Sequence, residues 1–364
     1  MSDLTEIKTP ARTTMQDVAR LANVTIATVS HVINGTAKIS PETSERVREA
    51  INSLNYHPNP HAQALRKPCA KSIGYLVPDI TTSYYSNFFS CFSSFAYEKE
   101  FSVSAISYQH NPKHEVAEIR NLLAKNTDAI LLYNGFDDNE GLEIIRQSNV
   151  PLILLDRHQE GYSCISFSNS HTMELLVSLL KASNYSKIGY ISESVLIQNL
   201  NDRYIGFLRG MQSNGLVTDM RDILISNRPR VDNLSIGYQL MRERLSAPTP
   251  YPLADVFIAS SDLIAFGAMR AIVEAGLKVP DDIAIIGCDN LQMSSFVQPQ
   301  LTTIRQSYTD IAEHAWKMLC NLLESPAQAP LTEILPQQLI VRGSAIIPDH
   351  VINDPAYADF FARE

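Results

Sequence analysis

Residues 14–66 read TMQDVARLANVTIATVSHVINGTAKISPETSERVREAINSLNYHPNPHAQALR, and three short helices can be traced through most of that stretch. Thr14 is placed to cap a helix whose Met15, Val18, Ala19 and Ala22 share one face at the i, i+3, i+4, i+7 spacing. Asn23 and Val24 interrupt it, Thr25 can cap a second helix running to about Asn34, and Gly35 supplies a stop. Ser40-Pro41-Glu42 is a strong start for a third: a capping hydroxyl, a proline at the first position and an acid in the first turn. That helix turns Val47, Ala50, Ile51 and Leu54 inward. Two short helices joined by a tight turn and followed by a third fit a helix-turn-helix unit; periodicity alone fits a generic small helical subdomain equally well.

The surrounding chain sets limits. With 364 residues, two or three domains are expected, and 45% hydrophobic against 19% charged residues is a globular composition. Residues 8–71 hold nine Lys or Arg against four acids (Asp17, Glu42, Glu45, Glu49), a net +5 in a chain whose whole is −9. A basic head on an acidic body points to nucleic-acid contact confined to one end. The first residues, MSDLTEIKTPART, lack the apolar core of a secretion signal, and no apolar run approaches a membrane span. Cys69, Cys91, Cys164, Cys288 and Cys320 are odd in number, widely spaced and never paired as CxxC. They read as reduced thiols of a cytoplasmic protein, nucleoid-associated when on DNA, with no disulfide or zinc framework.

Over its fifty-odd residues the opening stretch resembles, without a gap, the DNA-binding head of the lac repressor (LacI/GalR) family. The resemblance implies that the second helix enters the major groove with Ile26, Ala27 and His31 at base-reading positions. Ile26 and Ala27 offer only apolar contact, such as to a thymine methyl, whereas His31 can hydrogen-bond a purine N7 or O6. It assigns Thr14, Thr25, Thr28, Ser30 and Asn34 to phosphates, and leaves Val29, Val32 and Ile33 to packing. Residues 56–65, YHPNPHAQAL, resemble the family's hinge, a short helix that orders on operator DNA. There His57, Asn59 and Ala62 are expected at the DNA, and Leu65 at the wedge that unstacks the central base step. Pro60 departs from the commoner hinge pattern; behind Asn59 as cap it falls in the first helical turn, where its fixed φ is favourable.

Downstream, short apolar runs at Ile73–Val77, Val103–Tyr108, Ala129–Tyr133, Leu152–Leu155, Lys187–Ile191, Val256–Ala259 and Ile283–Gly287 read as strands. Helical stretches such as Val116–Lys125, Met173–Ala182, Asp202–Asn214 and Leu263–Ala275 lie between them. Repeated βαβ order means parallel sheets covered by helices, with ligand sites at the strands' C-terminal ends. The stretch SDLIAFGAMRAIVEAGLKVPDDIAIIGCDN, with PQLTTIRQ beyond it, resembles the same family's effector domain, a two-lobed fold shared with periplasmic sugar-binding proteins. By that resemblance the ligand pocket takes Tyr84 and Tyr85 after the first strand, Asp156 at the end of PLILLD, Arg203 of an R-x-x-G-F motif, and Asp262 of ASSDLIAFGA. An arginine fork and carboxylates make charge-assisted bonds to vicinal hydroxyls or ring nitrogens. Asp262 could instead cap a helix, Asp289 reads as a structural turn residue, and Asp232 and Asn233 border the cleft only under one alignment. VSHVIN resembles the heads of purine- and ribose-responsive members, yet Ile197 and Asn199 stand where polar residues would grip a nucleobase. A sugar or sugar derivative is therefore the expected effector, with a nucleobase or nucleoside as the alternative.

The implied architecture is an all-α helix-turn-helix head (13–57) after an N-terminal extension (1–12), and a hinge helix or linker (58–70). A two-lobed α/β periplasmic-binding-protein-like domain (71–348) and a C-terminal tail (349–364) follow. The function read from it is a repressor of pseudopalindromic operator DNA acting as a homodimer; an activator role is open. A metal site at His110, His114 and Glu115 is blocked because Pro112 prevents two ligands from sharing one helical turn. The chain carries no G-x-S-x-G, P-loop or G-x-G-x-x-G, so neither an enzyme nor a cofactor is expected. The tail VINDPAYADFFARE has no heptad, so a dimer rather than a tetramer is expected. Leu65→Ala should weaken binding to selected operator sites while leaving salt-dependent binding to arbitrary DNA nearly intact; equal loss of both, by filter binding, refutes the wedge.

Overall fold

The computed structural model describes residues 13–56, 71–135, 140–226, 232–247, 252–325 and 329–362. The hinge positions His57, Asn59, Pro60, Ala62 and Leu65 lie outside the described residues. Contacts divide the chain into two units, with the boundary after Ala70.

The head unit has α1 (Met15–Leu21), α2 (Ile26–Asn34) and α3 (Pro41–Ser53). Each begins on the cap read from the sequence. Thr14 and Asp17 form a reciprocal capping box, Thr25 accepts from the Thr28 amide, and Ser40 accepts from the Thr43 amide with Pro41 beside it. Gly35 ends α2 at φ +63°, with open space around it, so the backbone angle rather than crowding calls for glycine. Val18, Ala19, Ala22, Val29, Val47, Ala50 and Tyr56 form the small core.

The larger unit contains two six-stranded sheets. The first runs β11-β5-β4-β3-β1-β2, where β1 is Ser72–Val77, β2 Ser102–Ser107, β3 Ala129–Tyr133, β4 Leu152–Leu155, β5 Ser163–Phe167 and β11 Thr332–Leu335. The second runs β12-β10-β9-β8-β6-β7, where β6 is Ile188–Ser192, β7 Ile223–Ile225, β8 Val256–Ala259, β9 Ala284–Cys288, β10 Thr302–Arg305 and β12 Gln338–Ile340. The two orders are the same, strand for strand. All the pairings are parallel except β10 with β12. Parallel strands are buried on both faces. In β1, Ile73, Tyr75 and Val77 meet the cluster around α4 (Ser83–Glu98) and α11 (Tyr308–Glu324), while Leu76 meets that around α5 (Pro112–Ala124) and α6 (Glu140–Ser148). The second sheet is clothed likewise by α7 (Asn169–Ala182) and α8 (Gln198–Ser213) on one face, and by α9 (Asn233–Ser246) and α10 (Asp262–Glu274) on the other.

Since β5 leads into the second sheet, β10 leads back to α11, and β11 is followed by β12, the chain crosses between lobes three times: at Ser168, at Gln306–Ser307 and at Pro336–Gln337. Residues 349–362 do not form the separate tail expected from the sequence. A one-turn helix, α12 (Asp349–Ile352), and the segment after it bury Val351, Tyr357 and Phe360 in the second lobe. The Leu339 amide donates to the Phe360 carbonyl at 2.6 Å and the Ala362 amide to that of Leu339 at 3.0 Å, covering the free edge of β12.

Gly206, the glycine of R-x-x-G-F, lies where α8 crosses α7; a Cβ there would fall 2.3 Å from the Ser170 carbonyl oxygen. Gly206→Ala should therefore destabilise the protein by about 1–3 kcal/mol, read as a lower urea midpoint with operator sequence preference retained.

Candidate functional site

Two places gather the polar side chains singled out in the sequence. On α2, Thr25, Ile26 and Ala27 are exposed at the helix start. Ile26 is 48% exposed and is not part of the small core. Val29 is the buried residue of that helix, with Val32 and Ile33 packed against the core, so one face holds the head together and Ile26 and Ala27 stand exposed away from it. Several hydroxyls and amides named for phosphate contact are engaged locally. Thr14 Oγ1 donates to Asp17 at 2.6 Å, Thr25 and Thr28 share a hydrogen bond of 2.9 Å, and Asn34 Nδ2 donates to the Ser30 carbonyl at 2.8 Å. Hydrogen bonding from Thr14 holds the exposed Asp17 carboxyl below its usual range.

In the larger unit a cleft of about 390 Å³ opens at the C-terminal ends of the strands of both sheets, where βαβ topology places ligands. Tyr84 and Tyr85, in the first turn of α4, line it together with Asp156 and Arg203. Tyr84 shares a hydrogen bond with the Tyr133 hydroxyl at 2.9 Å, and the Tyr85 hydroxyl accepts from Asn134 Nδ2 at 3.0 Å, so both rings are held. Asp156 accepts from Asn199 Nδ2 at 2.5 Å and from Asn169 Nδ2 at 3.4 Å. Arg203, only 3% exposed, donates from Nε to Asn169 Oδ1 at 3.0 Å and from Nη1 to the Ser260 carbonyl, which leaves Nη2 for a ligand.

Asp262 is not on the cleft wall, contrary to expectation. It is fully buried at the start of α10, where Ser261 is the cap, and its carboxylate accepts from the Leu291 amide, Ser294 Oγ and Thr303 Oγ1 at 2.8, 2.5 and 2.5 Å. A Cβ on Gly287 would strike it at 2.2 Å, so it sits beneath β9 as an internal strut of the second lobe. Asp289, expected to be a structural turn residue, lines the cleft instead. The repeated strand order makes β9 the counterpart of β4, and each is followed by an aspartate. Asp156 and Asp289 both have positive φ (54° and 127°), and each donates its amide to the neighbouring strand's carbonyl at 2.8 Å (Ile165 and Ile304). The signal was in the sequence: PLILLD and IAIIGCD are the same device used twice.

Glu193, Asp232 and Asn233 also line the cleft, with Asn233 Nδ2 donating to Glu193 at 3.0 Å; Ile197 and Asn199 are there as well. His110 reaches the cleft, while Asn111 caps α5 with Pro112 in its first turn, and no metal-binding cluster occurs among the described residues. Burial raises the carboxyls of Asp156, Asp289 and Glu193 above their ordinary range, against the pull of Arg203; Asp262 and Asp156 push Asp289 up further. Burial works against the charge of Arg203, yet Cys288, Asp289 and Asp156 together raise its pKa.

These two sites have known counterparts. Residues 14–59 match the model for bacterial regulatory proteins of the lacI family, and residues 177–345 match a periplasmic binding protein-like domain. The chain belongs to the lacI family. It is 30% identical over 335 residues to the HTH-type transcriptional repressor PurR of Mannheimia succiniciproducens, covering 91% of this chain and 98% of that one. Over 348 residues it is 26% identical to the HTH-type transcriptional regulator GalR of Escherichia coli K12, covering 95% and 99%. A crystal structure of the lac repressor dimer bound to operator and the anti-inducer ONPF superposes with a TM-score of 0.75 at 26% identity, covering 92% and 99%. A lacI-family chain is a DNA-binding transcription regulator rather than an enzyme, and no helix among the described residues is long and apolar enough to cross a membrane.

A carboxyl whose folded pKa is raised contributes stability below its unfolded value, and that contribution is lost as pH rises through the folded one. The ligand-free lacI-family chain should thus gain thermal stability through Asp289→Asn at pH 7.5, and less at pH 5. An equal gain or loss at both, by calorimetry, removes Asp289 from the pH response.

Proposed function

We propose that the chain is a repressor that binds a pseudopalindromic operator as a homodimer and is controlled by a neutral, hydroxyl-rich small molecule, a sugar or sugar derivative, held between the lobes. The carboxylate-rich cleft carries this reading. Asp156 from one lobe and Asp289 from the other present acceptor oxygens, and Arg203 Nη2 supplies a donor between them. Vicinal hydroxyls, each both donor and acceptor, meet that set without adding charge. Among the described lining residues, Asp79, Asp156, Glu193, Asp232 and Asp289 would repel an anionic ligand, against the single arginine Arg203. Asn134 Oδ1, Ser260 Oγ and Gln306 Oε1 are buried without partners in residues of the same wall, and hydroxyl donors would relieve them.

The likeness to an operator-bound lac repressor dimer supports the two-fold arrangement, and a palindrome requires it. Ligand bridging Asp156 and Asp289 favours one lobe spacing and thereby alters operator affinity, and operator alters ligand affinity by the same factor. The held aromatic pair Tyr84–Tyr85, with ring centroids 5.8 Å apart, favours a second reading in which a nucleobase or nucleoside stacks there.

Selection from a random DNA pool, followed by thermal-shift screening of neutral sugars, phosphorylated sugars, nucleobases and nucleosides, separates the readings. A neutral sugar should stabilise the wild type by about 2–3 kcal/mol at a hundredfold excess over Kd, change operator affinity, and do neither in Arg203→Ala. A hit confined to nucleobases or nucleosides establishes the second reading. A phosphorylated sugar as the sole hit overturns both.

A further inference from the structure

We propose that Thr36, which follows the reading helix, is a positioning residue that fixes the ring and tautomer of His31 and so decides which base edge His31 reads. The proposal rests on the assignment of α2 to the major groove. On that helix Ile26 and Ala27 have no hydrogen-bonding group, the Thr25 and Thr28 hydroxyls serve each other and the helix cap, and Asn34 Nδ2 is tied to Ser30. His31 is different. Its partner lies beyond the helix: Nδ1 is 2.8 Å from Thr36 Oγ1.

A residue five places on does not reach back along a regular helix, whose neighbours on one face stand three and four apart. Gly35 makes the contact by ending the helix at φ +63°, which folds Thr36 over the last turn. The sequence H-V-I-N-G-T thus encodes a small clamp: a helix stop that brings a hydroxyl onto one imidazole nitrogen.

A neutral imidazole carries one proton, and the bond at one nitrogen determines what the other presents. The Thr36 hydroxyl can donate to Nδ1 or accept from it; the direction proposed is donation, which leaves the proton on Nε2 as the donor for a base. Nε2–H can pair with purine N7, guanine O6 or thymine O4, and it cannot accept from adenine N6 or cytosine N4. Thr36 exerts its effect without touching a base. It also holds the ring in place before DNA arrives, so less side-chain freedom is lost on binding.

The full-length chain tests this in two ways. With 15N-labelled histidine, the His31 resonances, identified by their loss in His31→Ala, should show an unprotonated Nδ1 and a protonated Nε2. In Thr36→Val, which keeps the shape of the exposed Thr36 side chain but removes its hydroxyl, the nitrogen shifts should move toward a mixture of tautomers, and Thr36→Ser should restore them. In selections from a random DNA pool, His31→Ala should lose the preference for an acceptor-bearing base at one position of each half-site. Thr36→Val should reduce that preference about fivefold and Thr36→Ser should recover it, while binding to arbitrary DNA stays unchanged. Unchanged nitrogen shifts in Thr36→Val overturn the clamp. A base preference that survives either Thr36→Val or His31→Ala overturns the specificity role.

Discussion

One buried amide holds the effector unit together at its most demanding point. Asn169 begins α7 just after the chain first leaves one lobe for the other. Its Nδ2 donates to Asp156 of the first lobe, and its Oδ1 accepts from Arg203 of the second and, at 3.3 Å, from Gln337 at the third crossing. Arg203 can be buried because that oxygen and the Ser260 carbonyl take two of its donors; Asp156 can be buried because Asn169 and Asn199 donate to it. Gln306, at the second crossing, donates to Asp289 at 2.7 Å. The first two passages are thus bonded to a cleft residue, and the third reaches Asp156 and Arg203 through Asn169. Asp156 and Asp289 are joined by hydrogen bonds to segments where the chain passes between the lobes.

The cleft is costly to the unliganded fold. Asp156 and Asp289 occupy backbone angles that side chains rarely adopt, and both carboxyls are raised by desolvation. Asp222 and Arg244, by contrast, are buried as a pair at 2.7 Å, away from the cleft lining, so the fold can neutralise a buried charge internally where no ligand is to be met. Strained acids whose charge is only partly compensated are what the ligand site proposed above requires.

Much of the fold could be read from the chain. The strands rich in Ile, Leu and Val and the three head caps are local signals, and the structure has elements at each of those places. The elements passed over had weaker local signals. β5 (SCISF) and β10 (TTIR) are short and partly polar, and α4 (SYYSNFFSCFSSFAYE) interleaves its inward aromatics with serines, so its stripe of Tyr84, Phe88, Phe92 and Ala96 is diluted. α9 carries Gly237 on the face that meets α10 and so shows little periodicity. The exchange of Asp262 for Asp289 has the same root. Without β5 and β10 the duplicated strand order is invisible, and with it the equivalence of the residues after β4 and β9. Tyr84, Tyr85, Asp156 and Arg203 needed no such insight, because they follow strong strands or sit in a recognisable motif.

The three crossings also govern how the molecule can come into being. The first sheet takes its strand β11 and its covering helix α11 from residues 308–335, after all but one strand of the second sheet has been made. The second sheet in turn waits for β12 and the residues through Ala362 that cover its edge. On the ribosome neither lobe can close before the other is largely synthesised, and a chain cut short between β7 and β11 leaves two open sheets rather than one finished lobe and one missing. Such a gene cannot be shortened to yield half a sensor: a fragment has nothing to hold a ligand and two exposed edges to stick by.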